Sequence, residues 1–330
     1  MDWERIFSNT LEAGIGRDAM VYALAAIGLN LHFGYTGLLN FGQVGFMAVG
    51  AYGVGISVLE LGWPLWVGVA VGVGAAVLLG LLLGVPTLRL RADYLAIATI
   101  AAGEILRFVF RAAEFRDVTG GSNGINGFAG DFFDVNPFGS GEYGWWLVTF
   151  DENQMWILTV GWALVLVAVL LVWALTRSPW GRVLKAIRED EDAVRALGKN
   201  VYAYKLQSLV VGGVIGALAG SMLAISARSV QPDNYGTATT FFAYVCLLLG
   251  GAATVWGPVV GSMIFWFIMS FTENVLRQAV DNGHIPEGIM TGTQVGQVRF
   301  MLVGLLLVLL MVFRPQGLFG DRREIALTTR

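Results

Sequence analysis

The sequence predicts an all-α fold: a polytopic transmembrane helical bundle of about 8–10 spans, with broken or re-entrant helices among them. Three observations lead there. Hydrophobic residues make up 56% of the 330 positions and charged residues 14%, whereas a soluble domain carries about 25% charge. Glycine accounts for 44 positions, as expected of helices that pack closely in lipid. Apolar runs of the ~20 residues needed to cross a bilayer recur from end to end, and mean hydropathy is +0.66.

In chain order the spans fall at about 19–38, 41–59, 63–84, 94–112, 154–176, 205–227, 238–254, 257–276 and 297–313, with ends uncertain by a few residues. The second and seventh are short and glycine-rich, which makes them the candidates for broken or re-entrant helices. Met1–Arg5 lacks the basic-then-apolar order of a cleaved signal, so an uncleaved first span is expected to direct insertion. Residues 1–330 read as one transmembrane domain.

Lysine and arginine set the orientation. The 177–205 loop carries Arg177, Arg182, Lys185, Arg188, Arg195, Lys199 and Lys205 and is expected in the cytoplasm. So is the 314–330 tail, with Arg314, Arg322, Arg323 and Arg330. Counting spans between the two gives the same side for both. The 113–153 loop then lies outside, and its acids Glu114, Asp117, Asp131, Asp134, Glu142, Asp151 and Glu152 face one cation, Arg116. The Arg89-Leu90-Arg91 turn falls inside, and counting further back puts the N-terminus outside. Glycines, Asn residues and Pro137 make the external loop turn-rich, and Trp145 with Trp146 suits a membrane interface. The loop is too small for a separate ligand-binding domain.

The 177–205 loop has its own helix signals. Ser178-Pro179 is an N-cap followed by proline at the first helical position. Glu189, Asp190, Glu191 and Asp192 put negative charge where a second helix would begin. Ala193, Ala196 and Leu197 form one apolar stripe, and Gly198 suits the position that ends the helix. Two readings of this helix-turn-helix stand: a solvated linker packed on the chain's own spans, or a surface that docks on a cytoplasmic partner. Asp192-Ala193-Val194, three residues, then Gly198 resembles the acidic-small-small-x-x-x-Gly loop of ABC importer permeases, whose coupling helix sits in a groove of the ATPase subunit.

Further segments carry a wider resemblance. They are Gly34-Tyr35-Thr36-Gly37-Leu38-Leu39-Asn40-Phe41-Gly42-Gln43 with Gly50-Ala51-Tyr52, Arg91-Ala92-Asp93-Tyr94-Leu95-Ala96-Ile97-Ala98-Thr99 with Gly103-Glu104-Ile105, and Thr119-Gly120-Gly121-Ser122-Asn123-Gly124-Ile125. The 178–206 loop and the segment from Leu249-Gly250-Gly251 to Trp256-Gly257-Pro258 complete the set. In this order, over most of the chain, they resemble the LivM-type permease family of branched-chain amino-acid ABC importers.

The resemblance implies a permease subunit in the cell membrane of a prokaryote. Its partners would be a second, related permease chain, two ATP-binding subunits and an extracellular or periplasmic amino-acid-binding protein, all within membrane lipid. The coupling residues it points to are Arg188, Glu189, Asp190, Glu191, Asp192, Ala193, Arg195, Leu197 and Gly198. The chain departs from the family at Gln43, where histidine is frequent, so no role needing an ionisable group transfers to that position. It departs again in a polar Asn274–Gln297 insertion read as an external loop. A closely similar subgroup carries urea or short amides, which is the alternative within the class.

Other features narrow the function. Net charge is −3, which argues against nucleic acid. Cys246 is the lone cysteine, and His32 and His284 lie far apart, so neither a metal site nor a nucleophile constellation is visible. Lys185, Lys199 and Lys205 are followed by Ala186, Asn200 and Leu206, so no GxxxxGK[ST] phosphate loop exists. No cofactor is expected, and ATP would be used by partner subunits. Glu104 sits in a span with Arg107 and Arg111 one and two turns on, as a pathway or interface group or as a local ion pair. Without further buried acids an ion-coupled secondary transporter is disfavoured. Asn40, Gln43 and Thr36 lie at a helix break, where exposed backbone can bind an amino acid or glycines can simply pack. Thr119 and Asn123 belong to a stretch that is either an anion-binding nest or a structural turn.

Overall fold

The apolar runs become helices at nearly the expected bounds. The computed structural model describes residues 2–90, 92–145, 148–282, 292–314 and 316–320. The spans are α2 (Arg17–Leu29), α3 (Gln43–Leu59), α4 (Leu65–Thr87), α5 (Ala92–Arg111), α8 (Glu152–Arg177), α11 (Val201–Ala227), α12 (Thr237–Gly250), α13 (Gly257–Asp281) and α14 (Val295–Phe313). Between them lie α6 (Arg116–Thr119), α7 (Gly130–Asp134), α9 (Pro179–Glu189) and α10 (Glu191–Ala196), and α1 (Trp3–Ile15) precedes them. The protein is thus a multi-pass, all-α bundle, and α4, α8, α11 and α13 are each long and apolar enough to cross a membrane alone. Arg91, Trp146, His284, Pro286 and the tail arginines after Arg314 lie outside the described residues.

α11 is the centre. Its most apolar stretch is 72% buried within the chain, against 28–39% for the other three long helices. It packs on α2, α3 and α4. Contact with α3 is backbone to backbone: a Cβ on Gly50 would fall on the Ala217 carbonyl, so the close approach requires glycine there.

The helix breaks differ from expectation in one respect. The second span, α3, is continuous; the interruption lies just before it. α2 runs into a π-helical turn at Asn30–Tyr35, and the chain is then non-helical from Gly37 to Gly42. The seventh span does stop short. α12 has 14 residues and ends at Gly250, where Gly251 (φ 112°) and Ala253 (φ 60°) turn the chain before α13. The two breaks meet, since Asn30 Oδ1 accepts from Ala253 N–H at 2.8 Å and Asn30 Nδ2 donates to the Thr254 carbonyl at 2.7 Å. Backbone groups freed by one interruption are satisfied by the other, as burial in an apolar bundle demands.

α1 was not foreseen, because its 13 residues fall short of a span. It is amphipathic. Ile6, Thr10 and Gly14 are buried, while Trp3, Phe7 and Leu11 are exposed. It lies along α13, with Asn9 Nδ2 donating to Asn274 Oδ1 (3.2 Å) and Asp2 N–H to Gln278 Oε1 (2.7 Å). This corrects the reading of Asn274–Gln297 as a loop: Asn274–Asp281 continues α13, and Asn274 and Gln278 bond α1 while Arg277 stays exposed and pairs with Glu273. Val295–Gln297 already belongs to α14, and residues 283–291 are not described.

The connections gather at two ends. At one, β1 (Ile125–Asn126) pairs antiparallel with β4 (Ser229–Val230), and β2 (Glu142–Trp145) forms a hairpin with β3 (Val148–Asp151). Glu12 of α1 accepts from Thr149 N–H at this end, at 3.4 Å. At the other end, residues 36–38, the 88–90 turn, α9, α10 and the start of α11 line a common cavity.

Candidate functional site

The charged loop folds as its capping signals direct. Ser178 Oγ accepts from Gly181 N–H at 3.4 Å at the start of α9. Asp190 caps α10, accepting from Asp192 and Ala193 N–H at 3.0 Å each, and Gly198 (φ 75°) follows its end. Because α8 reaches Arg177 and α11 starts at Val201, the linker proper is 178–200, shorter at both ends than 177–205. Glu191 anchors the unit, pairing with Lys205 of α11 and with Arg195 at 2.5 Å. Arg195 also reaches Asp192 at 3.0 Å.

The inward residue of α10 is Val194, packed with Ile187 and Val201. Ala193, Ala196 and Leu197 point away, and Leu197 is 79% exposed. The stripe read from the sequence therefore exists and is not buried by this chain; one position between its members does the internal packing. Above α10, Arg188 Nη1 donates to the Gly34 carbonyl at 2.5 Å, within the π-helical turn. Its side chain also lies against Gly37 (φ 74°) at the start of the break, where a left-handed residue under a neighbouring chain favours glycine. The loop thus touches the interrupted helix directly.

The break holds a closed polar network roughly 12–16 Å along α11 from Val201, at 1.5 Å per residue. His32, Asn40 and Gln43 are fully buried. His32 Nε2 lies 3.1 Å from the Leu209 carbonyl, which can only accept, so this nitrogen carries the proton and Nδ1 accepts from Asn40 Nδ2 at 3.1 Å. Asn40 also donates to Gln43 Oε1 (3.3 Å) and accepts from Gly42 N–H (2.9 Å). Gln43 Nε2 donates to the Gly212 carbonyl at 3.1 Å, and Tyr244 donates to the Asn40 carbonyl at 2.9 Å. Thr36 Oγ1 bonds Ser208 Oγ at 2.7 Å. Asn40 and Gln43 meet in this network, with their side-chain amides spent inside the protein. His32 was missed as a member. The signal was available: an ionisable side chain within a predicted span requires a partner.

The description "Branched-chain amino acid transport system / permease component" fits residues 13–313. The chain belongs to this permease family. Similar proteins include the high-affinity branched-chain amino acid transport system permease protein LivM of Escherichia coli, 30% identical over 314 residues, covering 92% of this chain and 69% of that one. The probable branched-chain amino acid transport permease protein LivM of Methanocaldococcus jannaschii is 26% identical, covering 92% and 91%. LivH of Escherichia coli, another permease protein of such a system, is 23% identical, covering 91% of each. Both the LivM-type assignment and the reading as a branched-chain ABC permease subunit follow from these matches, ahead of the urea-permease and secondary-transporter alternatives.

In this branched-chain permease the other candidates lie toward the opposite end. Glu104 Oε1 accepts from Thr237 N–H (3.2 Å) and Oγ1 (2.5 Å) at the start of α12, and its second oxygen pairs with Arg107 at 2.8 Å. Arg107 and Arg111 both reach Asp233 at 3.3 Å. The carboxylate is a non-local N-cap tied to an ion cluster. Glu104→Ala is expected to lower thermal stability by about 1–2 kcal/mol, while Glu104→Gln, which can still accept from Thr237, should retain most of it. Uptake lost in the Gln variant despite retained stability would instead mark the charge itself as functional. Thr119 Oγ1 accepts from Gly121 N–H at 3.2 Å and donates to the Phe115 carbonyl at 2.9 Å. Asn123 is exposed, and Gly124 packs on Val230. These contacts make a turn that joins the 113–153 segment to β4, some distance in sequence and structure from the His32 network.

Proposed function

We propose that this chain forms half of a translocation pathway for branched-chain amino acids, and that the 177–205 loop faces the cytoplasm and receives movement from an ATP-binding subunit. The observation that carries the coupling reading is the exposed Ala193/Ala196/Leu197 stripe. It is apolar, rigidly capped, and left uncovered by the chain's own helices. The 113–153 segment and α1 would face the outside, where an amino-acid-binding protein docks. A second, related permease would complete the pathway, two ATP-binding subunits would hydrolyse ATP, and this chain would catalyse nothing itself. The setting is the inner or plasma membrane of a prokaryote.

The contacts supply a mechanical route for such coupling. α10 is tied to α11 through Glu191 and Lys205. α9 is tied to the interrupted helix through Arg188 and Gly34. Beyond Gly34 the His32–Asn40–Gln43 network holds the break against the Leu209 and Gly212 carbonyls. A displacement of α9 and α10 would therefore bias two arrangements of the break relative to α11, which is what an energy-coupled permease requires.

The test is reconstitution with the cognate partners and ATP-driven uptake of labelled leucine, with urea as the comparison solute. Leucine should accumulate and urea should not. Ala193→Glu combined with Ala196→Glu places bulky acids on the proposed docking face and should reduce uptake by at least tenfold, about 1.4 kcal/mol of lost coupling or affinity. Normal ATP hydrolysis together with normal uptake in that variant sinks the coupling assignment.

A further inference from the structure

The end that carries α9 and α10 also contains a cavity of about 450 Å³. Its walls differ in character. Among the described residues, Arg89, Arg188, Arg195 and Lys205 line it with one carboxylate, Glu191. The opposite wall is the buried cluster of Leu38, Leu88 and Leu95. Glu191 is already paired with both Arg195 and Lys205, and Arg188 holds the Gly34 carbonyl. Arg89, at the end of α4, has its guanidinium 6.0 Å from the Tyr202 ring centre, an arrangement that fixes the charge beside the cavity without neutralising it. Such an excess of positive charge in a concave site calls for an anion.

The surroundings select the kind of anion. Exposed Leu90, at the cavity, continues into exposed Leu82 and Val85 on α4 and Tyr94 and Ile97 on α5, an apolar surface of two spans. A ligand here has its charged part against arginine and its apolar part along helices that cross the bilayer. Phosphate suits the guanidinium groups, which bind it through paired N–H donors. Basic pockets between spans at a membrane surface take anionic headgroups.

We propose that this cavity holds the phosphate headgroup of an anionic phospholipid from the adjacent leaflet. The assignment rests on the chain being a multi-pass membrane protein and not on docking of an ATP-binding subunit. Its test reads lipid retention rather than transport, so the two readings fail separately.

The purified full-length chain, in complex with its partners, is taken from nanodiscs of equal phosphatidylglycerol and phosphatidylcholine, and retained lipid is counted by native mass spectrometry. The wild type should retain phosphatidylglycerol preferentially. Arg89→Gln should cut the preference about fivefold, the value of one surface cation toward an anionic leaflet, and Arg89→Lys should restore it. Lys205→Gln provides a second, independent loss. Equal retention of both lipids by the wild type, or an undiminished preference in both Gln variants, overturns the proposal. Displacement of the lipid by millimolar glycerol phosphate would assign the cavity to a soluble phosphate and overturn the lipid assignment as well.

Discussion

Leu197→Asp is expected to leave the chain as stable as wild type and to weaken the proposed binding to an ATP-binding subunit by at least about thirtyfold. Stability should hold within about 0.5 kcal/mol, because the side chain is 79% exposed and touches none of the internal packing around Val194. On the proposed docking face, binding should suffer because an apolar side chain at the centre of such a face contributes about 2 kcal/mol or more when removed. A carboxylate there adds the cost of burying an unpaired charge. Co-purification and surface-binding measurements with the cognate subunit check the result. Val194→Asp is the control with the opposite pattern, since it should unfold the loop. Undiminished binding of Leu197→Asp would remove the stripe from the interface.

Asn40→Leu carries the largest expected loss of stability. The side chains are close in size, so packing volume is nearly preserved. What disappears is the donor to His32 and Gln43 and the acceptor for Gly42 N–H. Each of the three partners is buried and would be left unsatisfied at about 1–3 kcal/mol, giving a total of about 3–9 kcal/mol if the break does not rearrange. Thermal unfolding in detergent can be followed through alkylation of Cys246, a fully buried thiol and the only cysteine of the chain. The variant should expose that thiol at a clearly lower temperature. An unchanged midpoint would show that the network is held by the backbone alone.

Part of this was legible in the chain. Each apolar run became a helix because run length and hydropathy are local properties that the bilayer reads directly. Caps were legible for the same reason: Ser178 and Gly198 act within four residues of themselves, while the run Glu189–Asp192 marked the start of α10 without singling out Asp190 as its cap. The breaks were less legible. Glycine enrichment marked both α3 and α12, yet α3 is continuous and α12 stops. Gly45, Gly50 and Gly53 are compatible with helix where they meet neighbouring backbone, whereas Gly37 and Gly251, with positive φ, lie where a helix has ended. α1 escaped notice because an amphipathic helix of 13 residues has no hydropathy maximum. Its polar partners on α13 then read as a loop.

The sequence by itself determined that this is a multi-pass helical permease, where its spans lie, and that its longest charged linker contains two capped helices. The spans and the capped linker rest on composition, periodicity and capping signals, each fixed within a few residues, and the permease reading rests on the resemblance of its motifs to the family. Tertiary structure decided which side of α10 faces outward, that Arg188 grips the broken helix, and that His32 closes a network with Asn40 and Gln43. It also decided that Glu104 caps α12. The physical reason is separation: His32 meets a carbonyl 177 positions away, Arg188 one 154 away, and Glu104 a hydroxyl 133 away. A buried polar group must find a partner, but the sequence states only the need, and packing around α11 chooses the partner.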